Sequence, residues 1–275
     1  MVNDPKLASF GCRRLKLLRL IVPLALAAVL TLMLAGVASG IGVDARVSTD
    51  SAGAQVSTGS TLPAISGDGR YVAFVTSDPN LVSSDDNGTT DVFLKDVFTG
   101  TTRLVSSSLD GTEGDSQSYA PAVSADGRYV AFYSDAENLL SPAADGNLKL
   151  DVFVKDTSNG ATKRASISTG NEAGNNDSTA LDISADGRYV VFQSTATNLV
   201  SGDSNGQSDI FVRDTQGNTT ARVSTDSLGA QATSWSYDPV VSADGRYVAF
   251  YSSATNLVSP DAEGFTDVFV KDRQS

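Results

Sequence analysis

The sequence predicts an all-β chain that forms a β-propeller of about four four-stranded blades, because three markers recur along it at one period. The first marker is Asp-Gly-Arg, which returns every 58 to 60 residues, with its Asp at Asp68, Asp126, Asp186 and Asp244. The second is Asp-Val/Ile-Phe, beginning at Asp91, Asp151, Asp209 and Asp267. The third is a basic residue before a Ser-rich segment, at Arg46, Arg103, Arg164 and Arg222. Repeats of this length without a helical pattern are typical of propeller blades.

Each repeat contains four short strands in a fixed order. The first precedes the Asp-Gly hairpin, as at residues 121–124 and 239–242, and Gly accepts the positive φ that such a hairpin needs. The second, Arg-Tyr-Val-Ala-Phe, is apolar on both faces, as expected of a strand between neighbouring sheets. The third, Asp-Val-Phe-Val-Lys-Asp, is rich in β-branched and aromatic residues. The fourth begins at the basic residue.

The two ends of the repeat region lie at different points of the repeat. It begins with a fourth strand near Arg46 and stops after a third strand at Asp267. The sequence therefore predicts that the N-terminal strand completes the last sheet and closes the ring, which hides edge strands. The alternative is a truncated array.

Residues 1–40 have the pattern of a targeting segment. A basic lead is followed by the uncharged stretch 20–40, which ends in small residues. This pattern predicts a signal peptide, cleaved after Ala38 or Gly40, and residues 41–275 are the predicted propeller domain. An uncleaved membrane anchor is the alternative, since about twenty apolar residues can span a bilayer.

The composition excludes several kinds of site. The chain has no His, and Cys12, its one Cys, lies in the predicted targeting segment. Ser-His-Asp and Cys-His nucleophiles and disulfides in the exported part are therefore excluded. The whole chain has 20 basic and 32 acidic residues and a net charge of −12. An acidic chain of this kind is not expected to bind nucleic acid, and we expect membrane contact only through the N-terminal segment.

The order of the markers resembles a known family. SADGRYVAF, then NLV, D-x-N-G-x-x-D-V-F-V-K-D and T-x-R-V-S resemble the WD-repeat-like β-propellers of bacterial exported proteins, of which the TolB propeller is the best-known type. The resemblance covers residues 46–275 and includes no counterpart of the α/β domain of TolB. It implies a binding or scaffolding platform in the periplasm, at the cell surface or outside the cell.

Acidic turns between the second and third strands are candidate calcium loops. Three repeats share Asp-x-Asn/Glu-Gly-x-x-Asp, whose alternate oxygens and Gly match the later part of a calcium loop. The candidate ligands are Asp85, Asn87 and Asp91, then Asp203, Asn205 and Asp209, then Asp261, Glu263 and Asp267. The alternative is that Asp and Asn cap these turns through backbone amides.

Binding residues are expected where the repeats diverge, whereas residues repeated in every unit, such as Arg70 and Arg128, are predicted to be structural. The long connections meet on one face, here called the long-loop face, which contains residues 77–90, 135–150, 195–208, 253–266 and the segments before each first strand. Trp235, Tyr237 and Tyr119 lie there and suit sugar or peptide contact. Packing over the blade is the alternative role for these rings.

These features predict a non-catalytic exported module that binds a protein or polysaccharide partner through the long-loop face, with calcium as the candidate cofactor. The alternative is a carboxylate-dependent hydrolase such as a glycosidase, because two acids suffice for that chemistry. Three acids that do not repeat, Glu113, Glu137 and Glu172, are not placed near one another by the sequence.

Overall fold

The computed structural model describes residues 44–140, 146–259, 261 and 264–274, and throughout these residues the regular structure is β. The strands have the following bounds: β1 Ser60–Ile65, β2 Tyr71–Thr76, β3 Asp91–Asp96, β4 Thr102–Leu104, β5 Ser118–Val123, β6 Tyr129–Ser134, β7 Asp151–Asp156, β8 Thr162–Arg164, β9 Ser178–Ile183, β10 Tyr189–Ser194, β11 Asp209–Asp214, β12 Thr219–Arg222, β13 Ser236–Val241, β14 Tyr247–Ser252 and β15 Asp267–Asp272. The predicted targeting segment, residues 1–40, lies outside the described residues. Across the described ranges, no helix has the length and apolar character needed to cross a membrane.

The strands form four antiparallel sheets, one for each sequence repeat. Strands β1–β4 form blade 1, β5–β8 blade 2, β9–β12 blade 3 and β13–β15 blade 4, and within each sheet the spatial order follows the chain order. Counted over the described residues, blades 1 to 3 have four strands each and blade 4 has three. This repeated meander confirms the all-β β-propeller class that the periodic markers predict.

The core lies between neighbouring blades, which explains why the second and third strands are apolar on both faces. Val92 and Leu94 of blade 1 belong to one buried cluster with Val130 and Phe132 of blade 2. Equivalent clusters join blade 2 to blade 3 and blade 3 to blade 4. Each of these three interfaces therefore buries apolar side chains from two sheets, and removal of apolar area from water stabilises the stack.

The recurrent Asp-Gly hairpins connect one blade to the next. The amide of Ala125 donates to the carbonyl of Ala185 (2.9 Å), and the amide of Ala185 donates to Ala243 (3.0 Å). The ring of Tyr71 in blade 1 lies against Gly127 in blade 2, where an added Cβ would be 2.0 Å from Cδ2 of the ring. The repeated Asp-Gly hairpin therefore helps to hold neighbouring blades together.

The Arg of each Asp-Gly-Arg has a structural role, as predicted. It forms an ion pair with the Asp that ends the third strand of the same blade. The pairs are Arg70–Asp96 (2.7 Å), Arg128–Asp156 (2.9 Å), Arg188–Asp214 (2.7 Å) and Arg246–Asp272 (2.6 Å).

The register of the fourth strands corrects one sequence equivalence. Phe153 pairs with Arg164 and Phe211 with Arg222, whereas their counterpart Phe93 pairs with Leu104. The sequence analysis matched Arg103 to these two arginines, and that match is wrong by one residue, because the three fourth strands have the same register and the Arg of blade 1 lies one position earlier in its strand. Blade 1 therefore has Leu where blades 2 and 3 have Arg.

Strand β15 has a partner on one edge only among the described residues. It pairs with β14, and Val268 is 82% exposed. In blade 1 the amide of Val105 donates to the carbonyl of Val92 (2.8 Å), and by the same register the residue opposite Val268 in a closed ring is Val47. Closure by the N-terminal strand stays a prediction.

Candidate metal centre and aromatic cluster

The acidic turns are shaped by their Asn side chains. In blade 1, Asn87 Oδ1 accepts hydrogen bonds from the amide (2.6 Å) and hydroxyl (3.0 Å) of Thr89. Its Nδ2 donates to Asp91 Oδ2 (3.1 Å) and to the carbonyl of Gly114 (2.7 Å). Asn205 makes the same kind of contacts in blade 3, with Gln207, Asp209 and Ala232. Turn capping therefore uses the Asn oxygens that the calcium interpretation assigned as ligands.

In blade 1 the turn brings together three carboxylates. Asp85 and Asp91 lie in the turn and at the start of β3, and Glu113 lies in the loop after β4, with one oxygen from each within 4.8 Å of the others. Asp85 is 5% exposed and Asp91 is fully buried. Asp85 Oδ2 has no hydrogen-bond partner. Of the predicted ligands in this blade, Asp85 and Asp91 therefore converge, while Asn87 acts as a turn cap.

Glu113 was not assigned to this site by the sequence analysis. Both of its carboxylate oxygens accept the amide hydrogen of Asp86, at 3.1 and 3.0 Å. An isolated bridge joins Ser107 to Glu113, and the matching bridges end at Ala173 in blade 2 and Gln231 in blade 3. Aligning the loops that follow the fourth strands would have shown Glu113 to be acidic at a position where blades 2 and 3 have the uncharged residues Ala173 and Gln231.

Burial of Asp85 and Asp91 disfavours their ionised forms. Burial raises the pKa of Asp85 to about 7, and the charges of Asp91 and Glu113 add to the rise. Burial likewise raises the pKa of Asp91 to about 6, against the opposing hydrogen bonds from Ser106 and Asn87. Within the described residues, no ion pair joins any of the three acids to a basic side chain. Such a cluster favours a bound cation.

Blade 3 compensates the equivalent acids with its own side chains. Arg222 Nη1 lies 3.5 Å from Asp203 Oδ1 and 3.5 Å from Asp209 Oδ2. Gln231 Nε2 donates to the same two oxygens, at 2.8 Å each. Burial raises the pKa of Asp203, while Gln231 and Arg222 lower it. The structure thus brings Asp203 and Asp209 together around a guanidinium and an amide.

The remaining blades have parts of this arrangement. In blade 2, Arg164 Nε lies 3.8 Å from Asp151 Oδ2. In blade 4, Asp261 and Asp267 are described, and Asp267 is exposed. Glu263 lies outside the described residues. No fourth strand lies beside Asp267 in the described part of blade 4.

The predicted aromatic residues form part of two ring clusters. Trp235, just before β13, is 51% exposed, and its ring centroid lies 6.4 Å from that of Tyr237. Tyr237 in turn lies 5.4 Å from Tyr251 on the neighbouring strand. Blade 2 has the equivalent cross-strand pair Tyr119–Tyr133, with centroids 5.7 Å apart. Tyr119 and Tyr237 therefore lie within first strands, at the ends that adjoin the long-loop face.

Tyr133 and Tyr251 were not recognised as binding candidates from the sequence because they belong to the repeated segment SADGRYVAFYS. Their equivalents in blades 1 and 3 are Val75 and Gln193, which pair with Thr61 and Thr179. Among the described residues, a Tyr–Tyr pair at this cross-strand position thus occurs in blades 2 and 4 only. The signal that could have found them is the variation at this one position of an otherwise repeated strand.

Comparisons with known proteins find solved structures that resemble this chain over part of their length. No protein-family model matches the chain, and no curated protein matches it. TolB from Acinetobacter baumannii is 19% identical, with a TM-score of 0.46, and the match covers 79% of this chain and 42% of TolB. A putative TolB from Agrobacterium tumefaciens is 21% identical, with a TM-score of 0.45, over 76% of this chain and 60% of that one. A prolyl endopeptidase structure is 14% identical, with a TM-score of 0.48, over 79% of this chain and 28% of that one.

Proposed function

We propose that this chain is an exported, non-catalytic β-propeller module that binds a protein or polysaccharide partner through its long-loop face. The observation that supports this function is the aromatic cluster of Trp235, Tyr237 and Tyr251, whose outermost ring is half exposed. Aromatic rings offer large contact areas at little conformational cost and are enriched at binding hot spots.

The distribution of the rings supports a binding role over a packing role. If these positions needed aromatic rings to complete a blade, all blades would have them. Blade 1 instead pairs Thr61 with Val75, and blade 3 pairs Thr179 with Gln193. Residues that break a structural repeat at the end of a rigid sheet are expected to serve recognition.

The test compares a variant of the cluster with an aromatic control at the opposite end of the sheets. The double variant Trp235→Ala and Tyr237→Ala removes the outer rings, whereas Phe98→Ala removes an exposed ring from the turn between β3 and β4. The probes are a panel of soluble cell-envelope polysaccharides in titration calorimetry and an envelope extract in a pulldown.

We expect the double variant to weaken binding by about tenfold or more, a combined loss of about 1.4 kcal/mol or more for the two rings, and Phe98→Ala to leave it unchanged. Binding that survives the double variant, or that Phe98→Ala reduces equally, would contradict the assignment of the aromatic cluster. The retained probe identifies whether the partner is a polysaccharide or a protein.

The non-catalytic part of the proposal is supported by the burial of the converging acids. A glycosidase needs two carboxyl groups that flank an accessible sugar. Asp85 and Asp91 are both buried. A screen of glycan substrates is therefore expected to show no turnover, and turnover abolished by Asp85→Asn alone would support the hydrolase instead.

Export is supported by the pattern of residues 1–40 in the sequence. We expect cell fractionation to place the protein outside the cytoplasm, with a mature N-terminus after Ala38 or Gly40 as measured by mass spectrometry. An intact N-terminus in the membrane fraction would indicate an anchor, and an intact protein in the cytoplasm would contradict export.

A further inference from the structure

We infer that Asp85, Asp91 and Glu113 form a single divalent-cation site, suited to Ca²⁺, in blade 1. The sequence motif alone suggests three equivalent sites and assigns Asn87 as a ligand. Among the described residues, the structure points to one site, with a ligand that comes from a different loop. This inference is independent of the proposed binding function.

The first observation is the convergence of the three acids around an unsatisfied oxygen. Their ligand atoms lie within 4.8 Å of one another. Asp85 is 95% buried, yet its Oδ2 makes no hydrogen bond. A buried carboxylate oxygen without a partner costs free energy, and the cost is removed if a cation binds there.

The second observation comes from the repeat itself. In blade 3 the same two Asp positions are occupied by Asp203 and Asp209, and the guanidinium of Arg222 lies 3.5 Å from both. The strand register places Leu104 at the Arg222 position in blade 1. Blade 1 therefore lacks the cation that blade 3 provides from its own chain.

A second exchange increases the charge of the blade 1 site. Gln231 of blade 3, which donates to both Asp residues, is replaced by Glu113, which can only accept while ionised. In the part of the chain that the structure describes, the blade 1 cluster thus has three carboxylates and no basic side chain, whereas blade 3 has two carboxylates, one guanidinium and one amide. The paired exchanges remove one positive charge and add one negative charge, which is the change that a bound divalent ion would offset.

The ligand chemistry selects a hard cation. The three side chains provide up to six carboxylate oxygens and neither nitrogen nor sulfur. Ca²⁺ takes six to eight oxygen ligands in irregular geometry, whereas Mg²⁺ requires a near-ideal octahedron. Asn87 is not assigned as a ligand, because its nitrogen contacts Asp91 while its oxygen contacts Thr89. We therefore expect selectivity for Ca²⁺ over Mg²⁺.

Bound Ca²⁺ would connect two loops of the long-loop face. Asp85 belongs to the loop between β2 and β3, and Glu113 belongs to the loop between β4 and β5. In blade 3, Arg222 and Gln231 make the same connection permanently. The ion therefore stabilises one edge of the long-loop face in a manner that depends on calcium concentration.

The experiment uses the full chain, treated with chelator and dialysed, in calorimetric titrations with CaCl₂ and MgCl₂ and in thermal unfolding. We expect one Ca²⁺ per chain, weaker Mg²⁺ binding, and a Tm rise of about 5–10 °C at about 100 times Kd. Glu113→Gln is expected to weaken Ca²⁺ binding at least about tenfold, because it removes a charged ligand.

Two further variants separate loss of the ion site from loss of the fold. The double variant Leu104→Arg and Glu113→Gln gives blade 1 the blade 3 residues, and we expect a folded protein whose Tm no longer responds to Ca²⁺. Asp203→Asn in blade 3 is the matched control and is expected to keep one Ca²⁺ per chain. Absence of heat and of a Tm shift in the wild type, binding unchanged in Glu113→Gln, or binding lost in Asp203→Asn would each overturn the site.

Discussion

The contact between a tyrosine ring and the hairpin glycine of the next blade can be measured with two glycines that share a backbone conformation. Gly127 has φ of +71° and Gly69 has φ of +73°. A Cβ added at Gly127 would be 2.0 Å from the Tyr71 ring, whereas at Gly69 it would meet no described atom within 4 Å. Gly127→Ala therefore introduces strain and a clash, and Gly69→Ala introduces strain alone.

The expected magnitudes follow from these two terms. Placing an L residue in the left-handed region costs about 1–2 kcal/mol, which applies to both variants. Overpacking at an interface that cannot yield costs about 1–3 kcal/mol more, and this applies to Gly127→Ala only. We therefore expect Gly127→Ala to lower the free energy of unfolding by about 2–5 kcal/mol and Gly69→Ala by about 1–2 kcal/mol.

Urea unfolding at 25 °C, monitored by circular dichroism, measures both losses, and Tyr71→Ala completes a double-mutant cycle. In the Tyr71→Ala background, Gly127→Ala should cost no more than Gly69→Ala does in the wild type. Equal losses within about 0.5 kcal/mol, with no coupling between Gly127 and Tyr71, would refute the reasoning. Repeating Gly69→Ala in a Tyr247→Ala background controls for a closed ring, in which Tyr247 would be the ring facing Gly69.

Two further predictions concern ring closure and acid stability. If the N-terminal strand completes blade 4, the double variant Val47→Cys and Val268→Cys should form an intramolecular disulfide on oxidation, because directly opposed strand residues lie within disulfide range. Absence of this disulfide in mass spectrometry under non-reducing conditions would contradict closure. The Arg128 guanidinium lowers the pKa of Asp156 from 3.8 to about 2, so this pair stabilises the fold above about pH 4 and its contribution is lost as pH falls toward 2. Because Arg128 is half exposed, we expect Asp156→Asn to cost about 1 kcal/mol or less at pH 6 and much less near pH 2 in urea unfolding. A cost independent of pH would contradict the assignment.

The periodic features of the fold were predictable because every blade needs the same packing. The Asp-Gly hairpins and the apolar second and third strands recur in sequence and in structure, since the interfaces between consecutive blades pack the same kind of surfaces. The fourth strands were predicted less well. They are only three or four residues long and carry little pattern. Matching them by their Arg misaligned blade 1 by one residue, because the residue paired with Phe93 is Leu104 and not Arg103.

The candidate site was predictable only in part because its residues come from separate loops. Asp85 and Asp91 share one turn, and their spacing indicated a common site. Glu113 is distant in sequence and joins them through the loop after β4, which no local pattern shows. Tyr133 and Tyr251 were missed for another reason, because a residue inside a repeated sequence segment is first interpreted as structural.

The sequence by itself determined the class of fold, the order of strands in each blade and the residue types available for chemistry, because periodicity and composition are properties of the chain. Only the tertiary structure decided which charges have partners. Asp85 and Asp203 occupy equivalent turns, yet Asp203 lies beside Arg222, and the position matching Arg222 in blade 1 is Leu104. The balance of charge inside a blade depends on the side chains that the register brings into contact, and those side chains lie on different strands and loops.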